Sequence, residues 1–350
     1  MKIAVLTSGG VDSSVALTLL KKSGHDVTAF YLKIWLEDEL SFLGACPWED
    51  DLRYASAVCA QLAVPLEIVS LQKEYWARVV GYTIDAVKQG LTPNPDMLCN
   101  QQIKFGVFYE KISAAYEKVA TGHYAQTEER DALTALKRSP DPVKDQTYFL
   151  ALLSQQQVRR ALFPIGHLRK EDVRALARQY DLPTQSRGDS QGICFLGEIP
   201  FTKFIEHHLG IARGDVIEKE TGMKLGEHDG SYFYTIGQRK GLELSGGPWY
   251  VVAKDSQRNV VYVSHGFAGE DHRRNAFGVA QINWISGVPP EKKELHVKIR
   301  HGEKTYACTL ALRDTDRADV TLAEKDRGIT PGQFAVFYDG AYCLGGGVIQ

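Results

Sequence analysis

The sequence predicts an α/β protein whose N-terminal half builds a parallel, Rossmann-like sheet and whose C-terminal part is β-rich. Three observations carry this. Short apolar strands alternate with helical segments of about 10–15 residues through the first half, the pattern of βαβ units. The apolar runs there are continuous rather than alternating, as expected when helices cover both faces of a sheet. From about Gly210 helical periodicity disappears, glycine becomes frequent, and short β-type runs lie between turn signals, which suggests a small barrel or sandwich.

The elements follow in order. Lys2–Leu6 is an apolar first strand. Ser13–Ser23 sets Val15, Leu19 and Leu20 at helical positions and stops at Gly24, a C-cap. Val27–Lys33 reads as the second strand, Asp50–Leu62 as a helix and Leu66–Ser70 as the third strand. Gln72–Gln89 reads as a long helix ended by Gly90. A rigid loop, Thr92–Asn100, precedes a helix over Gln101–Ala114, and Lys118–Thr121 is a short strand. Later, Ser231–Ile236, Tyr250–Ala253, Val260–Val263, Leu295–Ile299, Tyr306–Leu312 and Phe334–Tyr338 read as strands, with Ser286–Glu294 as a loop.

Composition narrows the class. With 44% hydrophobic and 24% charged residues, the chain is neither a fibrous rod nor dominated by disorder. No run approaches the roughly 18 apolar residues of a membrane span. Ser8-Gly9-Gly10 interrupts the apolar start too soon for a signal peptide. Six cysteines without a CxxC pair argue against a disulfide scaffold and point to a reducing cytosol. The net charge of −2 means that any nucleic acid must be met by local patches. From Lys137 to Arg187 ten Lys/Arg face five Asp/Glu, a local net of +5 suited to backbone phosphates.

Thr7-Ser8-Gly9-Gly10-Val11-Asp12-Ser13-Ser14 follows the first strand and opens the first helix. A helix N-terminus presents unpaired N–H groups and partial positive charge, which suit phosphate. Gly9 and Gly10 let the backbone approach an anion closely, and Ser8, Ser13 and Ser14 add hydroxyls. Asp12 beside phosphate makes chemical sense only if Mg²⁺ bridges the two. No Lys-Ser or Lys-Thr follows the glycines, so this is not a Walker A loop. The string resembles the PP-loop of the ATP pyrophosphatase superfamily, whose members cleave ATP between the α and β phosphates and adenylate a substrate oxygen.

Two cysteines stand out. Cys99 ends the Thr92–Asn100 loop just ahead of a helix, where the dipole is expected to depress its pKa. Cys194 lies in Ser190–Gly197, a second glycine-punctuated loop. Cys59 on a helix and Cys308 and Cys343 in strands read as small buried hydrophobes, and Cys46 before Pro47 is left open.

With these segments in place, the chain resembles the bacterial tRNA-specific 2-thiouridylases over essentially its whole length. The matching strings are Ser8–Ser14, Asn94–Asn100 with Ile103–Gly106, Thr121–Ala125, Lys144–Leu150, Gly192–Phe195 and Thr235–Gly241. The resemblance implies three units: a PP-loop, adenine nucleotide alpha hydrolase-like domain over 1–198, a central β-rich tRNA-contacting domain over 199–271, and a β-barrel over 272–350. It implies a cytoplasmic enzyme, not bound to a membrane, that uses ATP and Mg²⁺ to adenylate the C2 oxygen of a wobble uridine in tRNA. Sulfur then arrives from a cysteine persulfide, giving 2-thiouridine, AMP and pyrophosphate. The implied partners are tRNA and a persulfide sulfur carrier or cysteine desulfurase.

The resemblance also assigns residues. Cys194 carries the persulfide. Cys99 acts first as an acid and then attacks the persulfide, leaving a Cys99–Cys194 disulfide. Asp96 either tunes Cys99 or caps the helix. An iron–sulfur cluster on Asp96, Cys99 and Cys194 is disfavoured, because such sites offer more clustered thiolates. ATP contacts fall on Leu6, Thr7, Ser8, Gly9, Gly10, Val11, Asp12, Ser13, Leu32 and Gly122. The tRNA contacts fall on Asn94, Pro95, Asp96, His123, Lys144, Asp145, Gln146, Arg300, His301 and Gln333. Gly302 follows His301 where a more aromatic or basic stretch is expected. His123 and Tyr124 are candidates to stack on a base taken out of its loop. Two other readings compete: another PP-loop ligase, which would need no cysteine pair, and a catalytically idle RNA-binding protein, which would release no pyrophosphate.

Overall fold

Strand β1 (Lys2–Leu6) shows why its run is apolar without alternation. Ile3 and Val5 pack on one face with Leu17, Leu20 and Val58, while Ala4 and Leu6 pack on the other with Phe30 and Val107. The computed structural model describes residues 1–34, 48–189, 200–265 and 274–350. β1 is the middle of a five-stranded sheet with β2 (Asp26–Lys33), β3 (Leu66–Ser70), β4 (Lys118–Ala120) and, past a hairpin of β5 (Ala125–Arg130) and β6 (Leu133–Arg138), β7 (Ala161–Leu162). The order is β3-β2-β1-β4-β7 and every pairing is parallel. The chain winds outward in opposite directions on the two sides of β1, which opens a crevice beyond the carboxyl ends of β1 and β4.

Departures from expectation have local causes. β3 is an edge strand, so it is not covered on both faces, and Ile68 is 54% exposed. The helix expected from Gln101 starts six residues earlier, at Pro95, because proline's fixed φ suits the first helical position and Asn94 is extended before it. The helical path then runs through a π-helical stretch, Cys99–Val107, to Lys111. Gln72–Lys88 is likewise interrupted by a π turn over Trp76–Val80. Ser231–Ile236 is not a strand: Ser231–Phe233 forms a 3₁₀ turn, and Tyr232 and Tyr234 donate their hydroxyls to the Gly210 and Gly241 carbonyls instead of pleating.

The β-rich part forms two sheets. β8 (Gly214–Glu218), β9 (Lys224–His228), β10 (Tyr250–Asp255) and β11 (Val260–Ser264) enclose Val216, Trp249, Val251, Val261 and Val263. β12 (Arg274–Trp284), β13 (Glu294–Lys298), β14 (Tyr306–Leu312), β15 (Ala318–Asp326), β16 (Phe334–Asp339) and β17 (Tyr342–Ile349) close into a six-stranded antiparallel barrel through the β12–β17 pairing. The β5–β6 hairpin leaves the N-terminal half and extends this barrel, with Leu136 opposite Cys343. Among the described residues no helix is long and apolar enough to cross a membrane.

Candidate nucleotide and thiol site

Beyond Leu6 the chain turns through Thr7–Gly10 into the Val11–Lys22 helix. Gly9 has a φ of +71°, a conformation that disfavours any side chain, and a Cβ there would collide with the Asp51 carbonyl. Gly10 takes the N-cap position with no side-chain cap, so the first N–H groups of the helix lack an intrahelical or capping acceptor and suit an anion. Ser13 and Ser14 turn their hydroxyls back onto the Gly10 carbonyl at 3.1 and 2.8 Å, and Ser13 Oγ accepts from the Ser8 N–H at 3.2 Å. Thr7 is 4% exposed and its Oγ1 has no partner, an unmet hydroxyl in the loop itself. This chemistry fits a polyphosphate.

Asp12, the second residue of the helix, is tightly held. Its carboxylate accepts the Tyr124 hydroxyl at 2.8 Å and receives Lys170 Nζ on both oxygens at 2.7 and 2.9 Å. Lys170 also reaches Asp189 at 3.0 Å, and Asp189 takes Lys144 at 2.6 Å and Arg174 at 2.5 Å. Burial pushes the Asp189 carboxyl up, but the three cations pull it well below the usual carboxylate range. Burial and the neighbouring Asp12 push the Tyr124 phenol far up, so it stays a donor. Arg187 donates to the Gly9 carbonyl and pairs with Asp51, both at 2.8 Å. If Mg²⁺ comes with the nucleotide, Asp12 is the loop carboxylate able to meet it. Tyr124, a candidate for stacking or for the core, is 1% exposed and serves as a hydrogen-bond donor to Asp12. Sequence reasoning singled out none of Lys170, Arg187 and Asp189; the basic stretch Lys137–Arg187 holds the first two, and Asp189 lies just beyond it.

The thiol lies close by. Cys99 is 0% exposed and shares one packed cluster with Leu6 and Phe30, with Leu32 against the same cluster. Leu6 and Leu32, both expected near ATP, thus come together with Cys99. Cys99 was expected just ahead of a helix; it is instead the fifth residue of the helical path, and its N–H already points to the Pro95 and Asp96 carbonyls. The cap position belongs to Asn94, not Asp96, which sits inside the first turn. Asn100, beside Cys99, is 2% exposed and leaves its Oδ1 without a partner. Cys194 and Cys46 lie outside the described residues. Burial raises the Cys59, Cys308 and Cys343 thiols to about 11, 12 and 12, as inert core cysteines should be. Among the described residues, no group of three or more His, Cys, Asp or Glu could hold a metal ion.

The residues expected to touch RNA gather where the N-terminal half meets the barrel. Gln333 Nε2 donates to the Thr92 carbonyl at 3.2 Å, and the Thr92 N–H to the Pro331 carbonyl at 3.0 Å. Asn94 bonds Tyr148, whose hydroxyl donates to the Phe334 carbonyl at 3.0 Å. The loop holding Asn94, Pro95 and Asp96 is therefore stapled to the barrel. His301 is exposed and lies over Phe149 at 4.5 Å, while Arg300 pairs with Asp326 at 3.5 Å. Asp145 needs correcting as an RNA contact: its carboxylate is 0% exposed and enclosed by Lys298 at 3.2 Å, Arg138 at 3.0 Å and the Thr147 hydroxyl at 2.8 Å. Gln146 accepts the Tyr124 N–H at 2.9 Å. His123 lies between Phe105 and Phe163, and burial first and the Lys104 charge second hold it well below its ordinary pKa.

Comparison with known families finds three matched segments. The family model for the tRNA methyl transferase HUP domain matches residues 1–198, that for the tRNA methyl transferase PRC-barrel domain 202–265, and that for the aminomethyltransferase beta-barrel domain 274–349. A Parabacteroides distasonis protein named tRNA-specific 2-thiouridylase MnmA is 49% identical, covering 100% of this chain and 99% of its own. A Bacteroides thetaiotaomicron protein named tRNA-specific 2-thiouridylase MnmA 1 is 45% identical and a Porphyromonas gingivalis protein named tRNA-specific 2-thiouridylase MnmA 43%, each over 100% of this chain and 99% of its own.

Proposed function

Because this chain belongs to the tRNA-specific 2-thiouridylase family, we propose that it exchanges the C2 oxygen of a wobble uridine in tRNA for sulfur at the expense of ATP. The observation that carries the reading is the shared cluster of Leu6, at the foot of the phosphate loop, and Cys99. It supports a site where an activated nucleotide and a thiol act on one base.

The uridine O2 attacks the α-phosphorus and pyrophosphate leaves. The first N–H groups of the Val11–Lys22 helix receive phosphate oxygens, and Asp12 would hold the Mg²⁺ that offsets phosphate charge. The terminal sulfur of a Cys194 persulfide then bonds to C2. Cys99, as thiolate, attacks Cys194 Sγ and the persulfide S–S bond breaks. Its electron pair passes to the sulfur on C2, and AMP departs with the old oxygen. A Cys99–Cys194 disulfide remains, for a thiol reductant to reopen. A persulfide carrier or cysteine desulfurase reloads Cys194. The same reading assigns the catalytic unit to 1–198, a tRNA-contacting unit to 199–271 and a barrel to 272–350, with Asn94, Lys144, Arg300, His301 and Gln333 facing the RNA.

Mass spectrometry of tRNA incubated with the protein, ATP and a persulfide source tests this. An oxygen-to-sulfur exchange at the wobble uridine is expected. Gain of a methyl group, or no change while ATP is consumed, would overturn it.

A further inference from the structure

We infer that Lys170 binds the β-phosphate of ATP and the pyrophosphate that leaves, a role that rests on the ATP reading above. Lys170 opens the Lys170–Gln179 helix, and its side chain is 15% exposed. Its ammonium sits on both oxygens of Asp12, one residue inside the helix whose first N–H groups face the phosphates. A carboxylate there opposes a polyanion, and Lys170 is what neutralises it in the nucleotide-free protein.

The partners of each charge show which contact gives way. Asp189 keeps Lys144 and Arg174 if Lys170 leaves. Asp12 has the Tyr124 hydroxyl besides Lys170, and a cation arriving with the nucleotide can take its free lone pairs. Arg187 is committed otherwise, to the Gly9 carbonyl and Asp51. Lysine suits an exchange of this kind, since its charge is compact and its stem flexible. The unpartnered Thr7 hydroxyl marks the same loop as built for a group not contributed by the chain.

In the adenylation step the bond between the α-phosphorus and the bridging oxygen breaks and its electron pair stays on that oxygen. The bond from uridine O2 forms, and the uracil N3 proton passes to water. Lys170 keeps its protons and faces the charge that collects on the departing pyrophosphate, where a positioned cation acts most strongly.

Titration calorimetry with magnesium pyrophosphate and, separately, AMP tests this without turnover. Lys170→Met should weaken pyrophosphate binding about tenfold or more, the worth of a charge-assisted hydrogen bond, and leave AMP binding within about twofold. Lys170→Arg should retain most of the pyrophosphate affinity. Should Lys170→Met fold poorly, Lys170→Gln, which keeps an N–H donor within reach of the Asp12 carboxylate but carries no charge, takes its place in the same titrations. Equal losses for pyrophosphate and AMP, or unchanged pyrophosphate affinity, would overturn the assignment to Lys170. Failure of the unaltered protein to bind ATP would overturn the ATP reading first, and this proposal with it.

Discussion

Gly122 lies so close to Ser13 that a Cβ on it would come within 2.7 Å of the Ser13 backbone nitrogen. The end of β4 is thereby pressed against the first turn of the phosphate-loop helix. Gly122→Ala must push that helix start aside, displacing its N–H donors. The expected result is about a hundredfold loss in kcat/KM for ATP, the usual effect of a misplacement near 1 Å, with tRNA affinity unchanged. Pyrophosphate release and tRNA gel retardation measure the two separately.

The buried Asp145–Lys298 pair joins the Lys144–Leu150 stretch to the barrel. Both side chains are 0% exposed, so removing one leaves a charge in the interior. Asp145→Ala should destabilise the protein by about 3–5 kcal/mol in urea unfolding. Asp145→Leu combined with Lys298→Met should recover much of that. A loss below about 1 kcal/mol in the single variant would mean that water reaches Lys298.

The contrast between these two positions shows how far sequence reaches here. β1 was evident because its run is apolar throughout and helices cover both its faces; edge strand β3 showed itself by β-type residues despite its exposed face, and the two-residue β7 gave no signal of its own. Gly122 was expected near ATP through the family resemblance alone, and its place just after β4 is what brings it against Ser13. Asp145 read as an RNA contact through the family resemblance, and nothing in the local sequence marks its carboxylate as buried. Its true partners, Lys298 and Arg138, are 153 and 7 residues away, and only the β13 register brings Lys298 to it. Lys170 was lost the same way: its partner Asp12 is 158 residues distant and nothing local marks the pair.

Stability should fall with acid partly through His123. Its folded pKa lies well below the model-peptide value of 6.5, because burial and Lys104 disfavour the imidazolium. Below the unfolded pKa the unfolded chain takes up a proton that the folded one refuses, so stability is full above about pH 6.5 and is lost as pH falls toward the folded pKa. His123→Asn should flatten urea midpoints across that window relative to the unaltered protein. An unchanged slope would assign the acid sensitivity to His208, His228 and His301, whose pKa values are also lowered.

Lys144 pairs with Asp189 at 2.6 Å and keeps about a third of its side chain exposed. If it meets an RNA phosphate, Lys144→Ala should weaken tRNA binding and reduce the log–log salt slope by about one. Binding measured at several salt concentrations decides this: parallel lines for the two proteins would confine Lys144 to its Asp189 pair.

The thiols give the last prediction. Cys99 is fully buried against Leu6 and Phe30, so a sulfur partner must come to it. A disulfide needs Cα atoms within about 7 Å, a demand the catalytic cycle must meet even though the two residues are 95 apart in sequence. Cys59, Cys308 and Cys343 are poor competitors, since burial lifts their thiols to about 11, 12 and 12 and leaves little thiolate at neutral pH. After a single turnover without added reductant, peptide mapping should find Cys99 linked to Cys194, with the other four cysteines alkylatable once the chain is unfolded. Cys99→Ser and Cys194→Ser should each abolish sulfur insertion while ATP binding persists. A link from Cys99 to Cys46 or Cys59, or productive turnover with no disulfide at all, would remove the two-cysteine scheme and leave the nucleotide chemistry standing alone.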